Sequence, residues 1–209
     1  MPTPTDWDAY YRKPAMFAPL TRRITVREIL GDIDRLAGHP PPSHIVELGG
    51  GNSGFLRALR ERFPDARLTA VDRNALGLKL VEREMAGDAN VATIERDIFA
   101  PSDTSDADVV FSVGLIEHFD PEGTARAVAV HFAQVKPGGL VIITFPTPTW
   151  LYRIVRGAAE LAGIWAFPDE RPLETGEVLR EVERHADVLD VRINWPVVLT
   201  QAIVVARRR

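Results

Sequence analysis

No cysteine occurs among the 209 residues. This excludes a disulfide scaffold, a thiolate nucleophile and any cysteine-ligated metal site, and it fits a reducing compartment. Long apolar runs are also missing: no stretch approaches roughly 18 uninterrupted apolar residues, the length that would read as a membrane-spanning helix. An excess of positive charge is absent as well. With 25 Lys and Arg against 29 Asp and Glu, the chain has no broad basic field for gripping a nucleic-acid backbone. The only run of like charge, Arg207-Arg208-Arg209, reads as a solvated tail, or else as a weak polyanion or membrane-surface contact. The opening MPTPTDWDAYYRKP is polar and proline-bearing, unlike a signal peptide. These absences lead us to expect a soluble cytoplasmic protein with no nucleic-acid partner and no membrane span, working as a monomer or homodimer.

What is present is enough apolar residue (45%) for one globular core, without internal repeats or low-complexity linkers. Strand and helix patterns alternate. Short apolar runs at 44–49, 68–71, 91–98, 108–113 and 140–145 predict five strands, and amphipathic patterns between them predict helices. Ser53 is placed to cap the helix bearing Phe55, Leu56, Leu59 and Phe63. The helix through Ala125, Val128, Phe132 and Val135 is expected to stop at Pro137-Gly138-Gly139. Residues 188–193 and 197–206 predict two further strands joined at Trp195-Pro196. There is no room there for a crossover helix, so those two must be antiparallel neighbours. The fold expected is α/β: a single Rossmann-like seven-stranded, mostly parallel sheet with a terminal antiparallel strand hairpin and helices on both faces.

In open sheets of this kind, ligands sit beyond the carboxyl ends of the strands, where strand order reverses. The first strand ends Glu47-Leu48-Gly49-Gly50-Gly51-Asn52-Ser53-Gly54. Its glycines allow a sharp turn and close backbone approach to a ligand, and Gly49, Gly51 and Gly54 satisfy G-x-G-x-x-G. A glycine-rich turn can also serve the turn alone. Two acids decide between ligands. Glu47 would repel a pyrophosphate but suits a cationic amino-acid group, although it can also be read as a loop-capping acid. Asp72, ending the second strand, can accept hydrogen bonds from both hydroxyls of a ribose. A ligand with a ribose and an ammonium but no phosphate is S-adenosylmethionine (SAM).

Val46-Glu47-Leu48-Gly49-Gly50-Gly51 resembles the cofactor-binding signature of class I SAM-dependent methyltransferases. Asp72 matches that family's ribose-binding acid, and Asp97 in Glu95-Arg96-Asp97-Ile98 its adenine-contacting acid. Residues 108–119 (DVVFSVGLIEHF) resemble the fourth-strand motif, and Lys136-Pro137-Gly138-Gly139 the turn before the fifth strand. The closing hairpin is the family's distinguishing topological feature. The resemblance runs from about Ile45 to Arg207. It implies SAM as cofactor, bound by Glu47, Gly49, Gly51, Asp72, Arg73, Asp97, Ile98, Ser112 and Tyr11, and methyl transfer to an oxygen or nitrogen of a small-molecule acceptor. Two departures stand out. Ser53 takes the third-glycine position, with Gly54 one place later, and Arg73 follows the ribose acid where an apolar residue often packs on adenine.

His118 follows Glu117 just past the fourth strand, where it is either the general base or part of a structural Glu-His pair. Tyr10, Tyr11 and Phe17, in the aromatic segment 7–17, either latch the N-terminus to the core or form a lid over the cofactor. The stretch after the fifth strand offers Trp150, Tyr152 and Arg153 as acceptor-binding residues, with Arg156, Trp165 and Arg171 nearby as stacking planes and anion forks. Both tryptophans can equally be packing residues. No metal site is expected. The chain divides into a lid and helix (1–38), a SAM-binding half (39–145), an acceptor-side insertion (146–186) and the hairpin (187–209), all in one domain. Two rival readings are an NAD-dependent oxidoreductase using the same turn and a non-catalytic SAM-binding protein. Glu47 and the terminal hairpin argue against the first.

Overall fold

The computed structural model describes residues 3–13, 18–102, 105–197 and 199–209; Phe17 of the aromatic segment lies outside them. A seven-stranded sheet runs through the molecule in the order β3-β2-β1-β4-β5-β7-β6. Its strands are β1 (His44–Leu48), β2 (Arg67–Asp72), β3 (Val91–Glu95), β4 (Ala107–Val113), β5 (Val135–Pro146), β6 (Ala186–Asn194) and β7 (Gln201–Arg208). The first five are parallel, and β7 runs antiparallel between β5 and β6. Every residue of β1 is buried, as expected for a strand covered on both faces.

Side chains alternate between two cores. On one face, Ile45, Leu68, Val109, Phe111, Ile142 and Val205 pack beneath α2 (Ala18–Leu36), α3 (Leu56–Arg62) and α4 (Ala75–Glu84). On the other, Val46, Leu48, Val110, Val141, Ile143 and Val204 pack beneath α5 (Pro121–Gln134) and α7 (Thr175–Val182). A short N-terminal helix, α1 (Trp7–Arg12), and α6 (Trp150–Leu161) complete the set. Local chemistry sets several of the starts. Asn74, Asp120 and Thr149 each cap a helix by accepting a backbone N–H, from Gly77, Gly123 and Tyr152.

Several boundaries differ from the sequence pattern. Pro137-Gly138-Gly139 does not stop a helix. α5 ends at Gln134, and the tripeptide lies inside β5, where the register slips between Ala107↔Val135 and Val109↔Leu140. β3 ends at Glu95 rather than at residue 98, and β6 begins at Ala186 rather than at residue 188. Ser53 lies ahead of α3 and accepts from Phe55 N–H, whereas Phe55 itself holds the N-cap position.

Order reverses between β1 and β4, so both neighbours of β1 leave a crevice at their carboxyl ends. The opposite end of this seam is fastened by Asp108, which accepts from Ser43 N–H and Oγ (both 2.7 Å) and His44 N–H (2.9 Å) and pairs with Lys136. Burial pushes its carboxyl upward, but Lys136 and these hydrogen bonds outweigh that and hold it at about 2. A depressed carboxylate adds stability above its ordinary pKa and loses it as pH falls through the depressed one. Asp108→Ala should therefore lower the unfolding free energy at pH 7 by about 2 kcal/mol, the range for hydrogen bonds to a charged group. In urea titrations the gap should narrow as pH approaches 2; a gap independent of pH would refute this.

Candidate active site

The turn after β1 is bonded to the end of β2. Gly49 and Gly50 N–H both donate to Val71 C=O (2.8 and 3.1 Å), and Gly51 N–H donates to Asp72 Oδ2 (2.7 Å). Gly49 has φ +72°, a conformation other residues resist. A Cβ on Gly51 would lie 2.6 Å from Tyr11 Oη and 2.7 Å from Asp72 Oδ2, so only glycine lets both approach the turn. Gly77, at the start of α4, is similarly close to Gly51 and to the Tyr11 ring.

Glu47 is buried, and Ser53 Oγ donates to its Oε2. The serine at the third-glycine position thus orients the acid. Burial raises the Glu47 carboxyl to about 8, opposed by the Ser53 hydrogen bond and the charge of Arg22 on α2. Asp72 accepts from Gly51 on one oxygen and from Asn74 N–H on the other (2.7 Å); burial nevertheless raises its pKa. Two acids therefore flank the glycine turn, one with little compensating charge. Tyr11 lies against the turn, its hydroxyl raised by burial and by the charges of Asp72 and Glu47.

Across the crevice, β4 ends in a 3-10 turn, Ile116–His118. His118 Nδ1 lies 3.0 Å from Asp169 Oδ1. Asp169, itself held low by Thr5 and His118 despite burial, is ionised and can only accept. Nδ1 therefore carries the proton, leaving the Nε2 lone pair basic. Burial lowers the His118 pKa, so the ring is neutral at pH 7; the charge of Arg73 contributes, which connects the end of β2 to this side of the crevice. Trp7 meets the imidazole edge-on at 5.0 Å, and Phe167 lies 6.0 Å away.

The remaining expected residues are distributed differently. Asp97 is exposed beyond β3, its Oδ1 accepting from Phe99 N–H, and Ile98 is buried beside it. Ser112 is fully buried, with its hydroxyl on His131 Nε2 (2.8 Å), so its side chain serves the packing of α5 on β4 rather than the crevice. Tyr152 is also buried, donating to Glu170, and Arg156 is held by Tyr152, Glu160 and the Glu170 carbonyl. Trp165 packs within this group, 5.1 Å from the Arg156 guanidinium. Trp150 is 66% exposed, and Arg153 is exposed beside it on α6. Asp169, Glu170, Thr5 and Arg22 carry no motif. Asp169 meets His118 from 51 residues away, and only the fold brings them together.

The sheet order and its inserted antiparallel strand define the Rossmann-like methyltransferase fold. Residues 45–139 match the family model of a methyltransferase domain. Trans-aconitate 2-methyltransferase of Acidovorax sp. (strain JS42) is 28% identical over 143 residues, covering 68% of this chain and 50% of that protein. That of Paracidovorax citrulli (strain AAC00-1) is 29% identical over 104 residues, 50% of this chain and 39% of the relative. The chain thus spans about half the length, or less, of these curated relatives. Among solved structures, magnesium protoporphyrin IX methyltransferase from Synechocystis PCC 6803 with bound S-adenosylhomocysteine (SAH) superposes with TM-score 0.75 at 12% identity, covering 97% of this chain and 93% of that one. The N-methyltransferase NodS from Bradyrhizobium japonicum WM9 with SAH gives 0.65 at 14%, covering 87% and 86%.

Asp169 holds both His118 and the N-terminal segment, since it also accepts from Thr5 N–H (3.0 Å) and hydroxyl. Asp169→Asn should lower the His118 pKa further in an NMR titration, because the raising influence is removed. The same variant should speed amide exchange across α1 by about tenfold, for loss of roughly one hydrogen bond's worth of anchoring. An unchanged histidine titration would separate the two groups.

Proposed function

We propose that this protein binds SAM at the turn after β1 and transfers its methyl group to a nitrogen or oxygen of a small-molecule acceptor. The observation that carries the reading is the pair of buried acids, Glu47 and Asp72, on either side of a glycine turn at the switch point. Their chemistry fits the cofactor. Glu47 lacks a full counter-charge and would accept an ammonium, whereas a pyrophosphate would meet two acids. Asp72 keeps lone pairs for ribose hydroxyls after accepting two backbone N–H groups. Tyr11 lies against the turn, where it would border the cofactor. Asp97, Arg73 and Ile98 border the side where adenine is expected, and Trp150 and Arg153 remain candidates for the acceptor.

The cofactor supplies an electrophilic methyl carbon on a sulfonium. The chain supplies position and a proton acceptor. His118, neutral and with its Nδ1–H on Asp169, can take a proton from the acceptor at Nε2, and Asp169 stabilises the imidazolium that results. The curated relatives are named for trans-aconitate, a tricarboxylate, which is one acceptor class to try.

The experiment is calorimetric titration of SAM at pH 7 in two buffers of different ionisation enthalpy. An ammonium beside Glu47 favours its ionised form, so binding should release part of a proton at pH 7, and affinity should rise with pH toward about 8 and then level off. Glu47→Gln should abolish the release. Binding of NAD in preference to SAM, or proton release that persists in the variant, would overturn the assignment.

A further inference from the structure

Beside the His118–Asp169 pair lie two acids, Glu117 and Glu170, that the reading above does not use. Glu117 is 2% exposed, and its Oε2 has no hydrogen-bond partner. Its side chain reaches the turn that follows β4: a Cβ on Gly114 would lie 3.3 Å from Glu117 Oε1. Burial acts on its carboxyl first, followed by the charges of Glu170 and Asp169. Glu170 and Asp169 are themselves largely buried, with side chains 8% and 14% exposed.

No cation is paired with the Glu117 carboxyl among the described residues. Arg156 is paired with Glu170 itself, Nη1 lying 3.9 Å from its Oε1 and donating to its carbonyl, and is also held by Tyr152 and Glu160. Arg171 is engaged bidentately by Glu177, with its Nη2 also on Thr124. Arg73 is exposed at the end of β2. His118 is neutral. Burial and neighbouring negative charge consequently push both Glu117 and Glu170 above the ordinary carboxylate range. A buried carboxyl oxygen without a partner, among like charges, leaves a desolvation cost that a bound cation would offset. Among the described residues no group of three or more His, Asp or Glu is placed to hold a metal ion. The surroundings are instead aromatic: Phe167 lies 5.0 Å from Tyr10 and 5.9 Å from Trp7, and Trp7 5.0 Å from His118. Ring faces joined to carboxylates are the chemistry that recognises an organic ammonium.

We infer that Glu117, Glu170 and Asp169, with the rings of Trp7, Tyr10 and Phe167, bind the acceptor as a protonated amine, so that the enzyme methylates nitrogen. The inference rests on the methyl-transfer reading above. The steps balance: the ammonium loses one proton to His118 Nε2, a nitrogen–carbon bond forms, and the carbon–sulfur bond of the cofactor breaks with its electron pair left on sulfur. Positive charge thereby passes from sulfur to nitrogen, toward the acids, which favours the transition state. A carboxylate acceptor would meet three acids.

The test uses three probes of similar shape, benzylamine, benzyl alcohol and phenylacetate, together with trans-aconitate, titrated into SAH-loaded protein while tryptophan fluorescence is followed. Benzylamine should bind saturably and more tightly than the other three. Glu117→Gln and Glu170→Gln should each weaken it by about tenfold or more, as expected for losing a hydrogen bond to a charged group. SAH affinity and melting temperature should stay unchanged. If one variant melts early, the other decides. Phenylacetate or trans-aconitate binding as tightly as benzylamine, or benzylamine affinity unaffected in a folded variant, overturns the inference. Failure of wild type to bind SAH would instead remove the cofactor reading, and the probe series is then read on unloaded protein by the same criteria.

Discussion

The site depends on the hydrogen bonds that tie the turn after β1 to the end of β2. With Gly49 and Gly50 on the Val71 carbonyl and Gly51 on Asp72, the backbone is drawn against its neighbour so closely that no side chain fits between. Asn52 N–H continues the seam to the Gly77 carbonyl in α4 (2.9 Å). Those bonds place Asp72 within reach of the turn and turn Ser53 back toward Glu47. Loosening any of them would move both acids at once. This is why chemistry at a sheet edge can be held by a loop: the loop is pinned to a strand buried on both faces.

A second feature is electrostatic. Glu47, Asp72, Glu117 and Glu170 are all buried at the carboxyl edge of the sheet, and burial raises each of them. Arg192, at the other side of α2, shows the alternative arrangement: it binds Asp32, Glu28 and Asp190 together, and its acids are compensated within the chain. Acids left without such partners cost stability unless something outside the chain compensates them. Their concentration at one end of the sheet, opposite a His-Asp pair, is what supports the proposal that positively charged groups are received there.

Much of this was legible in the sequence because the relevant periodicities are local. The apolar runs of β1, β2, β4 and the closing pair, and the glycines and acids that end β1 and β2, are read from neighbours a few residues apart. The start of β5 was hidden because Pro137-Gly138-Gly139 reads as a helix stop, whereas it sits in a bulged strand. Ser112 was expected at the cofactor from the family resemblance; it is fully buried, with its hydroxyl on His131. Tyr152 read as an acceptor residue from its chemistry, and its hydroxyl is committed to Glu170. Asp169 and Glu170 could not be read at all, since nothing short-range links them to His118 or Glu117. Thr5 meets Asp169 across 164 residues, a contact only the folded chain creates.

The central claim is that Asp72 and Glu47 form two ends of one cofactor cradle beneath Tyr11. A crystal structure with SAH bound tests it most directly. The account predicts ribose hydroxyls on the Asp72 carboxylate, no phosphate-like group near Glu47, and Tyr11 in contact with the ligand. A ligand whose ribose lies away from Asp72, or that occupies another part of the molecule, would contradict it.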